Sequence, residues 1–150
     1  MRIAGMVAII AASAGLAAAQ SDDDNLRPPV SRTDLQILKK ADEILSSAAK
    51  WNRNDNRVCP KDAKTLSLYC ALEAATLAVT GSFEHRGAAM QEARFAIDEI
   101  THNKDYEHRL MGYNNDPTTT FADIKKVIAL TAKRVEARLK TEAPSQQERL

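Results

Sequence analysis

Apolar positions recur with helical spacing in four stretches of the chain. Over residues 35–51, Ile37, Leu38, Ala41, Ile44, Leu45, Ala48 and Trp51 share one arc, while Gln36, Lys39, Lys40, Glu43, Ser47 and Lys50 share the other. That is the signature of an amphipathic helix. Thr33 with Gln36 three residues later predicts its capping box, and Asp34 suits the positive end of the helix dipole. The run Asn52–Asn56 and then Pro60 break the pattern. A second helix is expected from about Thr65 to Thr80, with Gly81 as a left-handed cap. It is apolar almost all round, with only Glu73, Thr76 and Thr80 as a polar stripe, which predicts a place at the centre of the core.

The third helix is expected over Arg86 to Thr101, burying Ala89, Met90, Ala93, Ala96, Ile97 and Ile100. Phe95 falls off that stripe beside Gln91, Asp98 and Glu99, which predicts packing against a loop or, alternatively, a partner contact. Residues 102–118 read as a long irregular connection pinned by Leu110, Met111 and Tyr113. Thr120 and Asp123 then cap a last helix that buries Phe121, Ile124, Ile128, Val135 and Leu139 and ends near Lys140. With no strand pattern, the expected fold is all-α, a compact bundle of about four helices.

The two ends differ from this pattern. Residues 1–19 read as a signal peptide: Arg2, an uncharged run from Ile3 to Leu16, then Ala17-Ala18-Ala19 before Gln20. The run is too short and too rich in Ala, Gly and Ser for a membrane anchor, and no later segment spans. Residues 20–32, with Ser21-Asp22-Asp23-Asp24-Asn25 and Pro28-Pro29, are expected to be a flexible leader. The helical domain would occupy residues 33–140, and residues 141–150 a disordered tail. A periplasmic or secreted location follows. Among 150 residues, 21 basic side chains balance 20 acidic ones, which argues against a strongly basic nucleic-acid binder.

Export makes Cys59 and Cys70 a predicted disulfide closing a ring of 12 residues. Loop-closure entropy makes such a ring worth about 3 kcal/mol. Phe83-Glu84-His85-Arg86 and Tyr106-Glu107-His108-Arg109 repeat a theme. Their spacing places no two histidines one helical turn apart, so neither a metal nor a cofactor is expected. The charged, aromatic and amide side chains on the anchored 102–118 loop instead suggest a binding surface: Glu84, His85, Arg86, Glu107, His108, Arg109, Asn115 and Asp116. Its partner would be an envelope protein or an anionic surface component. A hydrolase-like use of His108 with Asp116 or Glu107 is the first alternative. The second is anionic-surface binding by the last helix, where Lys126, Lys133 and Lys140 recur every seven residues.

Trp51, Cys59 and the helix Ser67-Leu68-Tyr69-Cys70-Ala71-Leu72-Glu73-Ala74-Ala75 carry a resemblance, together with the turn Tyr113-Asn114-Asn115-Asp116-Pro117. The combination resembles small bacterial helical proteins of unknown function, whose pattern joins a Trp, a Cys-Ala-Leu-x-Ala-Ala helix and a Trp/Tyr-Asn-Asp-x-Pro turn. The turn here differs by one residue in spacing. The resemblance spans about residues 33–139. It implies a compact helical domain and supplies no activity, ligand or catalytic residue.

Overall fold

A computed structural model of the chain describes residues 25–142. The expected signal peptide, the first five residues of the expected leader and residues 143–150 lie outside them. Among the described residues five helices follow one another: α1 (Arg32–Ile44), α2 (Leu68–Thr80), α3 (Ala88–Thr101), α4 (Arg109–Asn115) and α5 (Phe121–Glu142). Between α1 and α2 lie a 3₁₀ turn at Ala48–Lys50 and an isolated parallel bridge from Trp51 to Leu66. The all-α reading holds with one helix more than expected, because α4 forms inside the 102–118 connection.

Helix α4 is short and contains Gly112, Asn114 and Asn115, residues that favour turns in isolation. Burial of Leu110, Tyr113 and Asn114 on one face outweighs that preference. Gly112 is needed for close approach, since a Cβ there would lie 2.6 Å from Cδ1 of Tyr106. Gly112→Ala should therefore destabilise the protein by about 1–3 kcal/mol despite alanine's better helix propensity. A urea denaturation midpoint at or above that of the wild type would contradict this packing.

Ser31, not Thr33, caps α1. Its N–H and Oγ–H donate to Asp34 Oδ2 at 2.7 and 3.0 Å. The other Asp34 oxygen accepts the Ala89 N–H at 3.1 Å. One buried carboxylate thus caps α1 and satisfies an orphan amide in the first turn of α3. Helix α1 stops at Ile44 rather than continuing to Trp51, and Lys125 of α5 donates to the carbonyls of Asp42 and Leu45 at its end. Ser67 caps α2, its Oγ accepting the Cys70 N–H at 3.2 Å, and Gly81 ends it at φ 78°. The Thr120–Asp123 capping box of α5 is present in both directions.

Helix α1 packs on α2, α3 and α5, so it, and not α2, is the hub of the core. Four of the apolar residues of α2 are alanines, apolar without bulk. Ala71 and Ala75 are buried, while Ala78 and Leu77 face outward, Leu77 being 43% exposed. The α3–α5 seam holds a charged cluster. Glu92, with no exposed surface, accepts from Arg134 at 3.0 Å and Arg138 at 2.8 Å. Glu99 and Glu142 flank these arginines at 2.7 Å each.

The leader residues 26–30 lie along this seam. Pro28-Pro29 keep them out of helix, as the sequence suggests. Gln91 Nε2 donates to the Leu26 carbonyl at 2.7 Å, and Arg138 to the Pro28 carbonyl at 2.9 Å. Arg27 sits 4.2 Å above the Phe95 ring. Phe95, half-buried, thus packs against the leader, with Arg109 and Arg134 within 6 Å of the same ring.

Candidate functional site

The residues that carry the sequence pattern converge on one side-chain amide. Asn114 is fully buried. Its Oδ1 accepts from Trp51 Nε1–H at 2.8 Å and from the Leu68 N–H at 3.0 Å. Its Nδ2 donates to the Asn52 carbonyl at 3.0 Å and to Asn115 Oδ1 at 3.1 Å. All four hydrogen-bonding positions of the amide are used. Asn115 extends the junction, its Oδ1 accepting the Asp55 N–H at 2.7 Å and its Nδ2 donating to the Asp55 carbonyl at 2.8 Å. The turn, the Trp loop and the start of α2 are in this way one hydrogen-bonded unit.

Asp116 closes the next layer. Its Oδ2 accepts from Lys104 at 2.6 Å and Tyr106 at 2.8 Å, and its Oδ1 from the Thr118 N–H and hydroxyl. The Lys104 ammonium first, then the Thr118 donors, hold this carboxyl well below the usual carboxylate range. The unfolded chain therefore takes up the proton at a higher pH than the folded one. Asp116 stabilises the fold above about pH 4, and that contribution is lost as the pH falls below it. Asp123, held low by Thr120, acts in the same direction. In a pH series of thermal midpoints, Asp116→Asn should fall less steeply below about pH 4 than the wild type. Parallel curves would contradict the assignment.

His108 and Asp116 stand at opposite ends of α4, as its N-cap and C-cap. An eight-residue separation at helical rise is about 12 Å. The carboxylate of Asp116 is saturated by other donors, and the ionisable neighbour of His108 is Glu107, with Nε2 3.9 Å from Oε1. The pairing needed for a His108–Asp116 acid/base unit is not formed.

His85, Glu107, His108 and Arg109 do meet. With Arg57, Tyr69 and Arg94 they line a pocket of about 60 Å³ between the 57–59 loop, the start of α2, the 83–87 corner, α3 and α4. The Cys59–Cys70 disulfide, Cα–Cα 5.3 Å, ties the Arg57 loop to α2 next to Tyr69. Arg57 has φ 60°, a strained conformation for a side chain of its size, and its N–H donates to Asp55 Oδ1 at 2.7 Å. Arg94 NH2 lies 3.1 Å from His85 Nε2. A guanidinium only donates, so in the neutral ring Nε2 accepts and the proton resides on Nδ1. Nδ1–H then donates to Tyr69 Oη at 3.2 Å, leaving the tyrosine proton for another acceptor. Burial, with Glu73 second, pushes the Tyr69 phenol up from its ordinary pKa, so the group remains a donor.

Three guanidinium groups, two imidazoles and a phenol thus face one small space. Arg109 is paired with Asp98 at 2.6 Å. Glu107 is the one carboxylate of the lining, and its side chain is 92% exposed. Glu84 and Arg86 line a neighbouring cavity of about 310 Å³ between the starts of α1 and α3 and the end of α2. Asn115 and Asp116 line neither. Tyr69 belongs to the α2 segment that carries the resemblance, whereas Arg57 and Arg94 have no local motif and emerge only from the fold. On α5, Arg134 and Arg138 turn inward to Glu92, while Lys126, Lys133 and Lys140 are exposed.

This architecture defines a disulfide-bonded all-α domain with a small cationic pocket separate from its signature junction. Residues 29–134 match DUF6197, a family of unknown function, and the chain belongs to that family. No curated protein and no solved structure matches the chain. Among the described residues, no group of His, Cys, Asp and Glu could hold a metal ion, and no helix is long and apolar enough to cross a membrane.

Proposed function

We propose that this is an exported, non-catalytic binding domain that takes a small anionic group in the pocket of Arg57, Tyr69, His85, Arg94, His108 and Arg109. One observation carries the reading: these side chains, with Arg57, Arg94 and Arg109 as the cationic donors and His85 orienting Tyr69 and Arg94, come from five separate segments of the fold to a space the size of a carboxylate or phosphate. Guanidinium groups hold such anions through paired, charge-assisted hydrogen bonds. The disulfide and the lack of a spanning helix among the described residues are compatible with a periplasmic or extracellular protein. An envelope component bearing phosphate or carboxylate is the natural partner in that setting.

Isothermal titration with inorganic phosphate at constant ionic strength tests the proposal. The wild type should bind one phosphate, and Arg94→Gln and His108→Gln should each weaken binding by about tenfold with folding retained. Equal binding by all three proteins, or no binding by the wild type, would overturn it.

A further inference from the structure

The last turn of α2 carries Thr76 and Thr80 four residues apart, so both hydroxyls lie on one face of the helix. Each turns back on the backbone: Thr76 Oγ1 donates to the Leu72 carbonyl at 2.7 Å, and Thr80 Oγ1 to the carbonyls of Thr76 and Ser82 at 2.9 and 2.7 Å. Thr80 also accepts the Ser82 N–H at 3.3 Å and keeps one lone pair. Ser31 Oγ spends its proton on Asp34 at 3.0 Å. Carbonyl and carboxylate oxygens only accept, so these three hydroxyls offer lone pairs, not protons, to the space beside them. That space is the cavity of about 310 Å³ between the starts of α1 and α3 and the end of α2.

The remaining lining sets the class of ligand. Ile37 and Met90, both core residues, supply apolar surface together with Pro28 and Pro29. Asp34 is committed to the Ser31 and Ala89 donors and answers the positive ends of α1 and α3. Glu84 and Arg86 then contribute one charge of each sign. An ion of either sign gains little from so balanced a lining, whereas a molecule that brings several hydroxyl donors and a C–H face is matched by it. We infer that this cavity is a second binding site, for a neutral polyhydroxylated ligand about the size of one pyranose ring. Its hydroxyls donate to the oxygens of Ser31, Thr76 and Thr80 and to the Glu84 carboxylate, while its C–H face covers Ile37 and Met90. The volume is at the lower end of small-ligand sites, about 300–1,000 Å³. The site does not depend on the anion pocket: His85 of the 83–87 corner lines that pocket, and Glu84 and Arg86 line this cavity.

The test is a ¹H–¹⁵N titration of the full chain with D-glucose, D-galactose, D-mannose and myo-inositol. Cyclohexanol, n-butylammonium and inorganic phosphate serve as the apolar, cationic and anionic comparators. At least one of the four polyols should give saturable shifts at Thr76, Glu84, Arg86 and Met90, and the comparators should give none there at equal concentration. Thr76→Val fills the same volume without a hydroxyl, and Glu84→Gln weakens one acceptor at an exposed position; each should weaken polyol binding about fivefold. Should Thr76→Val fail to fold, Glu84→Gln alone decides. No saturable shift from any polyol, a response to cyclohexanol as strong as to the best polyol, or unchanged affinity in Glu84→Gln would overturn the inference.

Discussion

Asn114→Ala should cost about 4 kcal/mol of stability, the largest loss expected from any single substitution in the hydrogen-bonded junction. Truncation removes four hydrogen bonds and strands the Trp51 indole N–H and the Leu68 N–H without their acceptor. A net hydrogen bond contributes about 1 kcal/mol, and each buried donor left unsatisfied costs about 1–3 kcal/mol more. Because domains of this size have only about 5–15 kcal/mol to lose, the variant should sit near the edge of folding at 37 °C. Asn114→Asp is the sharper probe. It keeps both acceptor bonds and loses both donor bonds while placing a charge in the core, so it should also be severely destabilised. Denaturant unfolding followed by Trp51 fluorescence reads both variants. A loss under about 1 kcal/mol for Asn114→Ala would show that water replaces the amide and that the junction does not hold the fold.

Glu92→Gln ranks second. The substitution keeps the shape of a fully buried carboxylate and removes its charge from between Arg134 and Arg138. Breaking a buried ion pair from one side leaves uncompensated charge and costs about 3–5 kcal/mol. Here Glu99 and Glu142 retain one arginine each, so the lower end, about 3 kcal/mol, is expected. Replacing Glu92, Arg134 and Arg138 together by Leu, Met and Met should restore most of the loss, since a packed apolar seam substitutes well for a buried triad. A single variant as stable as the wild type, with the triple variant worse, would contradict this account of the seam.

The parts of the fold that were legible in the sequence are those decided locally. The buried stripe of α1, the Gly81 cap of α2 and the Thr120–Asp123 box of α5 each depend on residues within one or two turns. The start of α1 was not legible, because the Thr33–Gln36 spacing makes a plausible box whereas Asp34 in fact pairs with Ser31. The Ala89 amide, 55 residues away from Asp34, decides between them. Helix α4 was hidden for the same reason: Asn114 looks like a turn former until Trp51 and Leu68 are placed against it, 63 and 46 residues distant.

The candidate surface divides in the same way. His85, Glu107, His108 and Arg109 do share a pocket, although Asn115 and Asp116 belong to the junction and the layer beside it. Arg57 and Arg94 carry no helical or motif context that would have joined them to those histidines. Arg57 reaches the pocket through the disulfide and the Asx turn of Asp55, and Arg94 through its bonds to the 83–87 corner. Apart from Tyr69, which does both, the residues that resemble a family signature are thus the ones that build the scaffold, and the residues proposed to bind are dispersed along the chain. A signature of this kind reports fold more than function.

The central claim, a cationic recognition pocket apart from the signature junction, is tested most directly by mapping inorganic phosphate onto the ¹H–¹⁵N spectrum of the folded protein at constant ionic strength. The account predicts saturable shifts at Arg57, Tyr69, His85, Arg94, His108 and Arg109, with Trp51, Asn114 and Asn115 unmoved. Shifts confined to Lys126, Lys133 and Lys140, or none that saturate, would contradict it.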